Sequence, residues 1–261
     1  MSILEGKQPI TFDGYLFLAR TAMETKADFG SNTFSHLFLL LSWNLMARSV
    51  SVSKIMHNHM TWSGDALQIT LPTHKGDQEG NHSYPRHVYA NPSVPELCPI
   101  LSLAVFVFCS SFCRTGARMM LFSEINNEGR FSKWLNKVCS SREDKLRELG
   151  LVITMIGTHS FRKGIATYLS SHPDGPSPVN IFLRAGWSLG NVQSRYIFAG
   201  SGGDQFVGRT ACGLPLNDRT FSLLPPHFKR STGPLLSNEG WENVLLPKSA
   251  VVSIAVRAKK R

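Results

Sequence analysis

The sequence predicts a mixed α+β protein that is mainly α-helical and contains a small antiparallel β-sheet. Three patterns point to this fold class. Apolar residues recur at helical spacing at Phe38, Leu41 and Leu45, and apolar neighbours widen the face that this helix is expected to bury. Apolar and polar residues alternate over 67–71, which is the period of a half-buried strand. Short helical patterns separated by Gly and Pro then fill residues 159–198.

The elements are expected in a simple order along the chain. Residues 1–33 mix glycine, polar and apolar residues and are expected to be a lead-in with one short helical candidate near 15–25. Residues 34–200 are expected to form one domain, and residues 201–261, rich in Gly, Pro and Ser, a C-terminal extension that is partly extended or loop-like. Within the domain, helices are expected over 35–48, 99–108, 132–138, 159–170, 179–185 and 190–198, and strands over 67–71 and 86–90.

Composition narrows the class of partner. The chain has 261 residues, of which 42% are hydrophobic, so it can bury a sizeable core. Its formal net charge of +10 favours a polyanionic partner. The longest apolar stretches, 34–47 and 101–109, are shorter than the roughly 20 residues of a membrane helix, so no membrane span is expected. The N-terminus lacks the pattern of a secretory signal, and an intracellular location is expected.

A basic pair suited to phosphate lies in the segment GTHSFRKGIATYL. His159 and Arg162 are three residues apart on a predicted helix, so both can project from one face toward a single phosphate. The planar guanidinium of Arg162 offers a fork of donors for phosphate oxygens, and the imidazole of His159 can donate or transfer a proton. These residue types indicate a phosphate-binding site.

A candidate nucleophile follows in the segment RAGWSLGNVQSRYIF. Trp187 precedes Tyr196, and a break at 188–190 separates two predicted helices, which lets the tyrosine pivot. A free tyrosine has a pKa near 10, so attack by Tyr196 requires cations around the phosphate, and Arg162 with Arg48 can supply them.

Six residues in this order resemble the tyrosine recombinase and phage integrase family. The family's pattern is an arginine, a lysine, His-x-x-Arg, a histidine or tryptophan, and a tyrosine, and the similarity extends from about residue 35 to residue 198. The matching residues here are Arg48, Lys75, His159, Arg162, Trp187 and Tyr196. The resemblance implies the recombinase catalytic-domain fold for residues 34–200.

The resemblance also implies a mechanism and partners. The implied roles are phosphate binding by Arg48 and Arg162, protonation of the leaving 5′ oxygen by Lys75, acid–base assistance by His159, packing and hydrogen bonding near the phosphate by Trp187, and nucleophilic attack by Tyr196. The 3′-phosphotyrosyl intermediate needs neither a metal nor any other cofactor. The implied partners are double-stranded DNA and further copies of the chain, assembled as a tetramer on paired sites, in the nucleus if the host is eukaryotic.

Several short sequence segments resemble those of recombinases from eukaryotic mobile elements of the Crypton and DIRS kind. They are KGDQEG from Lys75, AGW before the tyrosine, and VGRTACGLPL and LLPPHF after it. Two features depart from the family: Ser51 occupies a position that is often acidic, and no separate N-terminal DNA-clamp domain is expected from the residues that precede the first firm helix.

Two other functions use the same residues. One is a catalytically silent DNA-binding domain derived from a recombinase, and the other is DNA relaxation of the type IB topoisomerase kind. Each motif taken singly also has a purely structural explanation, since Trp and Tyr are common core residues and an arginine at a helix end complements the helix dipole.

Overall fold

The computed structural model describes residues 6–24, 28–71, 84–109, 119–187 and 202–216, all of which belong to one compact unit. The described helices are α1 Phe12–Glu24, α2 Phe29–Asn44, α3 Ser49–Ser53, α4 Pro99–Cys109, α5 Asn127–Ser141, α6 Glu143–Glu148, α7 Thr158–Ser170, α8 Pro178–Ala185 and α9 Gly202–Ala211. The described strands are β1 Met60–Ser63, β2 Ala66–Thr70 and β3 Pro85–Val88. The expectation of a mainly helical α+β chain with a small antiparallel sheet is confirmed.

Helix α2 is the centre of the core. Its residues 34–44 are all buried, because apolar side chains cover the whole circumference of its C-terminal half. Helices α1, α4, α5 and α7 pack around it. On one side Phe38 stacks on Phe131 of α5, with 4.7 Å between the ring centroids. The C-terminal end of α2 is therefore held in a fixed position, and this end leads to Arg48.

The N-terminal segment contributes more to the core than a lead-in would. Helix α1 buries Tyr15, Leu18, Ala19 and Ala22, which follow helical spacing. The ring of Tyr15 stacks on Trp43 of α2 at 4.2 Å. The sequence identified this helix as a short candidate but did not indicate that it belongs to the core, because half of these four buried residues are alanines.

The sheet has the strand order β1-β2-β3, with both pairs antiparallel. The expected pairing of the second and third strands is confirmed, with Leu67 opposite Val88. Strand β1 was not expected, because it has only four residues, of which two are polar, and three of the four are exposed. It forms a hairpin with β2 through Gly64, whose φ of 59° suits the left-handed conformation of such a turn.

Helix α9 lies at the start of the C-terminal extension, which was expected to be partly extended or loop-like and in which no helix was expected. It packs against β3 and α8 and buries Val207 and Ala211. A Cβ atom added at Gly208 would lie 2.3 Å from the carbonyl oxygen of His87, so glycine allows the close approach of helix and strand. Glycines that looked unfavourable for a helix thus serve its packing. The helix expected over 190–198 lies outside the described residues.

The remaining helices match or extend the expected ones. Helices α4, α7 and α8 lie where the sequence predicted them, and α5 begins earlier than residue 132, at Asn127. The short helices α3 and α6 were not expected. Among the helices of the described ranges, none is long and apolar enough to cross a bilayer.

Candidate active site

Arg48 was expected to end the first core helix. It lies instead in the connection between α2 and α3. Helix α2 ends at Asn44, and the N–H groups of Met46 and Ala47 donate back to the carbonyls of Trp43 and Ser42. This is the Schellman arrangement, in which Met46 adopts the left-handed conformation at φ 48°. Because the residue there is a buried methionine and not glycine, the helix end has no local sequence signal.

The backbone after Met46 turns Arg48 away from the axis of α2. Arg48 has an extended conformation, with φ −74° and ψ 151°, and precedes the first turn of α3. Its side chain is half-buried. The strained residue two positions earlier is thus part of what directs this arginine toward the rest of the site.

Helix α7 carries the His-x-x-Arg pair. The helix turns Phe161, Gly164, Ile165 and Leu169 toward the core. His159 and Arg162, separated by three residues, lie on its other side, where His159 is exposed and Arg162 is half-buried. The expectation that the two residues share one helix is confirmed.

The end of α8 places Trp187 beside α7. Gly186 adopts the left-handed conformation, with φ 66°, and the N–H groups of Gly186 and Trp187 donate to the carbonyls of Leu183 and Phe182. This second Schellman arrangement folds the Trp187 ring onto Phe182, with a T-shaped contact at 5.3 Å. The glycine of the segment RAGW is therefore required by the reversal of the chain.

These three segments converge at Arg162. The guanidinium of Arg162 lies 5.7 Å from the centroid of the Trp187 ring, and its Nη2 donates to the carbonyl of Ala185 at the end of α8. Burial and, to a smaller extent, the positive charge of Arg48 together lower the pKa of Arg162 to about 10. Arg162 still carries its charge at neutral pH, because a pKa of about 10 is well above 7.

Neither arginine of this pair has a carboxylate partner among the described residues. The charge of Arg48 disfavours the charged form of Arg162, and an anion bound between or beside the two guanidinium groups would offset this repulsion. The guanidinium fork suits the oxygens of a phosphate. The arrangement can therefore bind a phosphodiester and stabilise the negative charge that develops when it reacts.

Of the six expected site residues, the structure places Arg162 against Trp187, brings Arg48 near enough for its charge to act on Arg162, and places His159 one turn before Arg162. Lys75 and Tyr196 lie outside the described residues, and their roles stay predictions.

Three buried charged residues next to this site were missed by the sequence analysis. They are Arg86 on β3, Arg184 on α8 and Asp204 on α9. The pKa of Arg86 is lowered mainly by burial, next by the positive charge of Arg184, and also by the positive charge of Arg162. A signal for two of them existed in the sequence. Arg86 is two residues before Val88, so it faces the same side of the strand, and Arg184 follows Ile181 on the apolar face of α8.

Comparison with known proteins adds no family assignment. No protein-family model matches the chain, and no curated protein matches it at a significant level.

Proposed function

We propose that this chain cleaves and rejoins double-stranded DNA as a tyrosine recombinase. The convergence of Arg48 and Arg162 beside Trp187 carries the proposal. These residues come from three separate parts of the chain, and they match three positions of the family's pattern. A phosphodiester is the ligand that their shared positive charge and donor geometry favour.

The reaction needs no external energy source. The phenol oxygen of Tyr196 attacks the phosphorus, the bond to the 5′ oxygen breaks, and Lys75 gives the leaving oxygen its proton. A 3′-phosphotyrosyl bond remains, and attack by a 5′ hydroxyl group reverses the sequence of steps and releases the tyrosine. Arg48 and Arg162 neutralise the charge on the phosphate oxygens throughout, and His159 assists proton transfer at Tyr196.

The wider features of the chain are consistent with this proposal. The net charge of +10 favours binding to the DNA backbone. The helical cluster with a three-stranded sheet supports a recombinase catalytic fold for residues 34–200. By the same resemblance, strand exchange takes place in a tetramer on paired sites, in the nucleus if the host is eukaryotic.

A covalent-capture assay tests the proposal. A random-sequence library of nicked suicide duplexes, labelled on the strand that would stay attached, is incubated with the protein, which is then denatured and examined for bound label. Label is expected on the wild type and on Tyr84→Phe, an exposed tyrosine that serves as the matched control, and not on Tyr196→Phe. Label that persists in Tyr196→Phe contradicts the assignment of the nucleophile.

The alternatives give different results in the same experiment. A silent DNA-binding domain binds the duplexes reversibly but retains no label after denaturation. A relaxing enzyme of the type IB topoisomerase kind retains label and also relaxes a supercoiled plasmid at protein concentrations at which the chain is monomeric.

A further inference from the structure

A network of buried charged side chains lies behind the arginine pair. The side chain of Arg184 is 0% exposed, and all three of its nitrogens donate hydrogen bonds. Nε and Nη2 donate to the carbonyl of Asn44 at 3.2 and 2.8 Å, and Nη2 also donates to the carbonyl of His87 at 2.8 Å. Nη1 donates to Oδ1 of Asp204 at 2.6 Å. Arg184 thus joins α8 to the end of α2, to β3 and to α9.

Asp204 completes the connection to α9. Its Oδ2 accepts from the backbone N–H of His87 at 2.9 Å and from Nδ1 of the same residue at 2.8 Å. Nε2 of His87 lies 2.9 Å from the amide nitrogen of Gln68, so the ring accepts there and donates to Asp204. Burial by itself would raise the pKa of Asp204, but Arg184 and the hydrogen bonds from His87 hold that pKa well below its usual range.

Two arginines of the network bind the end of α2. Arg184 binds the carbonyl of Asn44, and Nη1 of Arg86 donates to the carbonyl of Leu45 at 2.6 Å. The last carbonyls of a helix have no partner within the helix and carry its negative dipole, so two buried guanidinium groups satisfy and stabilise this end. Arg48 follows within the next turn of chain, and its position therefore depends on these contacts.

The same network determines where Arg162 and Trp187 lie. The residue after Arg184 is Ala185, whose carbonyl accepts from Arg162, and Trp187 follows two residues later. A shift of the Arg184 side chain would move this carbonyl and the Trp187 ring together. Through Asp204 the network also fixes the start of α9, which is the first described element after Tyr196.

We propose that Arg184 and Asp204 are a positioning pair, which holds the arginines that bind phosphate and the helix that follows the nucleophile in one arrangement. This inference rests on the proposed function. The Arg184 side chain is fully buried and the Asp204 side chain is only 10% exposed, so neither is expected to contact DNA. Their loss should therefore affect the covalent step more than DNA binding.

Two variants test this pair against a matched control. Asp204→Asn keeps the shape of the side chain and removes its charge, and Arg184→Lys keeps the charge and removes the planar fork. The control is Asp65→Asn, which removes the carboxylate that pairs with Arg209, another residue of α9. That ion pair joins α9 to neither α2 nor α8. All measurements are made at a temperature at which circular dichroism shows every variant to be folded.

The expected result is a split between binding and chemistry. Asp204→Asn and Arg184→Lys should bind duplex DNA within about threefold of the wild type, whereas their rate of covalent adduct formation should fall at least about tenfold, because small misplacement of catalytic groups is costly. Asp65→Asn should keep both quantities within about threefold of the wild type. Equal losses in binding and in rate, or equal losses in Asp65→Asn, would mean that the pair only stabilises the fold.

A second measurement does not depend on catalysis. The indole N–H resonance of Trp187, assigned with Trp187→Phe, should shift in Asp204→Asn and stay in place in Asp65→Asn. If the wild type forms no adduct but this shift is seen, the recombinase proposal fails and the positioning role stands. If the wild type forms the adduct and Asp204→Asn changes neither the rate nor the resonance, the positioning role is wrong and the recombinase proposal stands.

Discussion

Arg162 contacts the end of α8 twice: its guanidinium lies 5.7 Å from the centroid of the Trp187 ring and donates to the carbonyl of Ala185, two residues before that tryptophan. The side chain is thereby held between a π surface and the negative end of a helix dipole. Both contacts orient the guanidinium without using a carboxylate. Its charge is therefore still available to an anionic ligand.

Removing the Trp187 ring should weaken DNA binding modestly. A cation–π contact contributes about 0.5–1 kcal/mol, so Trp187→Ala is expected to lower the affinity for duplex DNA by about two- to fivefold. Trp187→Phe keeps a ring over Arg162 and should bind nearly as the wild type does. Trp62→Ala, an exposed tryptophan on β1, is the control and should change the affinity less than twofold, within about 0.4 kcal/mol. Similar losses in Trp187→Phe and Trp187→Ala would show that the ring contact is unimportant.

Arg48 and Arg162, which have no carboxylate partner within the described ranges, predict stabilisation by a tetrahedral anion. Sulfate should raise the Tm of the wild type more than it raises the Tm of Arg48→Gln, because only the wild type has both guanidinium groups. Without sulfate, Arg48→Gln should melt at the same temperature as the wild type or higher, since it removes like-charge repulsion on Arg162.

The general stabilising effect of sulfate is removed by comparison with Lys54→Gln. Lys54 is an exposed cation at the end of α3, and its variant should respond to sulfate as the wild type does. The response should also weaken as the pH rises toward about 10, where Arg162 loses its proton. An equal response in Arg48→Gln would contradict the anion site.

Asp204→Asn should be less stable than the wild type, by an amount that depends on pH. The pKa of Asp204 is lower in the folded protein than its ordinary value of 3.8, so the carboxylate stabilises the fold above that pH and loses this effect as the pH falls below it. Breaking a buried pair costs about 3–5 kcal/mol, which corresponds to a Tm lower by roughly 10 °C at neutral pH.

Thermal melts across the acid range check this sign. The Tm difference between the wild type and Asp204→Asn should be constant down to about pH 5 and should shrink below about pH 4. Glu143→Gln removes an exposed pair with Arg147 and is expected to cost less than about 0.5 kcal/mol at any pH. A difference that stays constant into the acid range would mean that the Asp204 charge does not stabilise the fold.

Gly164 should not tolerate a methyl group. Alanine favours helices over glycine by about 1 kcal/mol, but a Cβ atom at Gly164 of α7 would lie 2.2 Å from the carbonyl oxygen of Ile10. Gly164→Ala is therefore expected to lower the free energy of unfolding by about 1–3 kcal/mol. At Gly30 of α2 nothing lies within 4 Å, so Gly30→Ala should be neutral or stabilising. Denaturant melts of the two variants give the comparison, and equal effects would contradict the close packing at Gly164.

Much of the fold was predictable from local patterns. The helices α4, α7 and α8 and the pairing of β2 with β3 follow from periodicity and from Pro and Gly at the ends of elements. Strand β1 was not predictable in this way, because it lies at the edge of the sheet and its side chains are exposed. Helix α9 was missed because its glycines are explained by a neighbouring strand that the local sequence does not contain.

Local sequence patterns are enough to predict the fold class, the helix that carries His159 and Arg162, and the residue types that suit a phosphate. The end of α2, the effect of the Arg48 charge on Arg162 and the ion pair of Arg184 with Asp204 follow instead from the packing of remote segments. The physical reason is distance along the chain. Local spacing sets which residues share a helix face, whereas contacts between remote segments depend on how the whole core packs around α2.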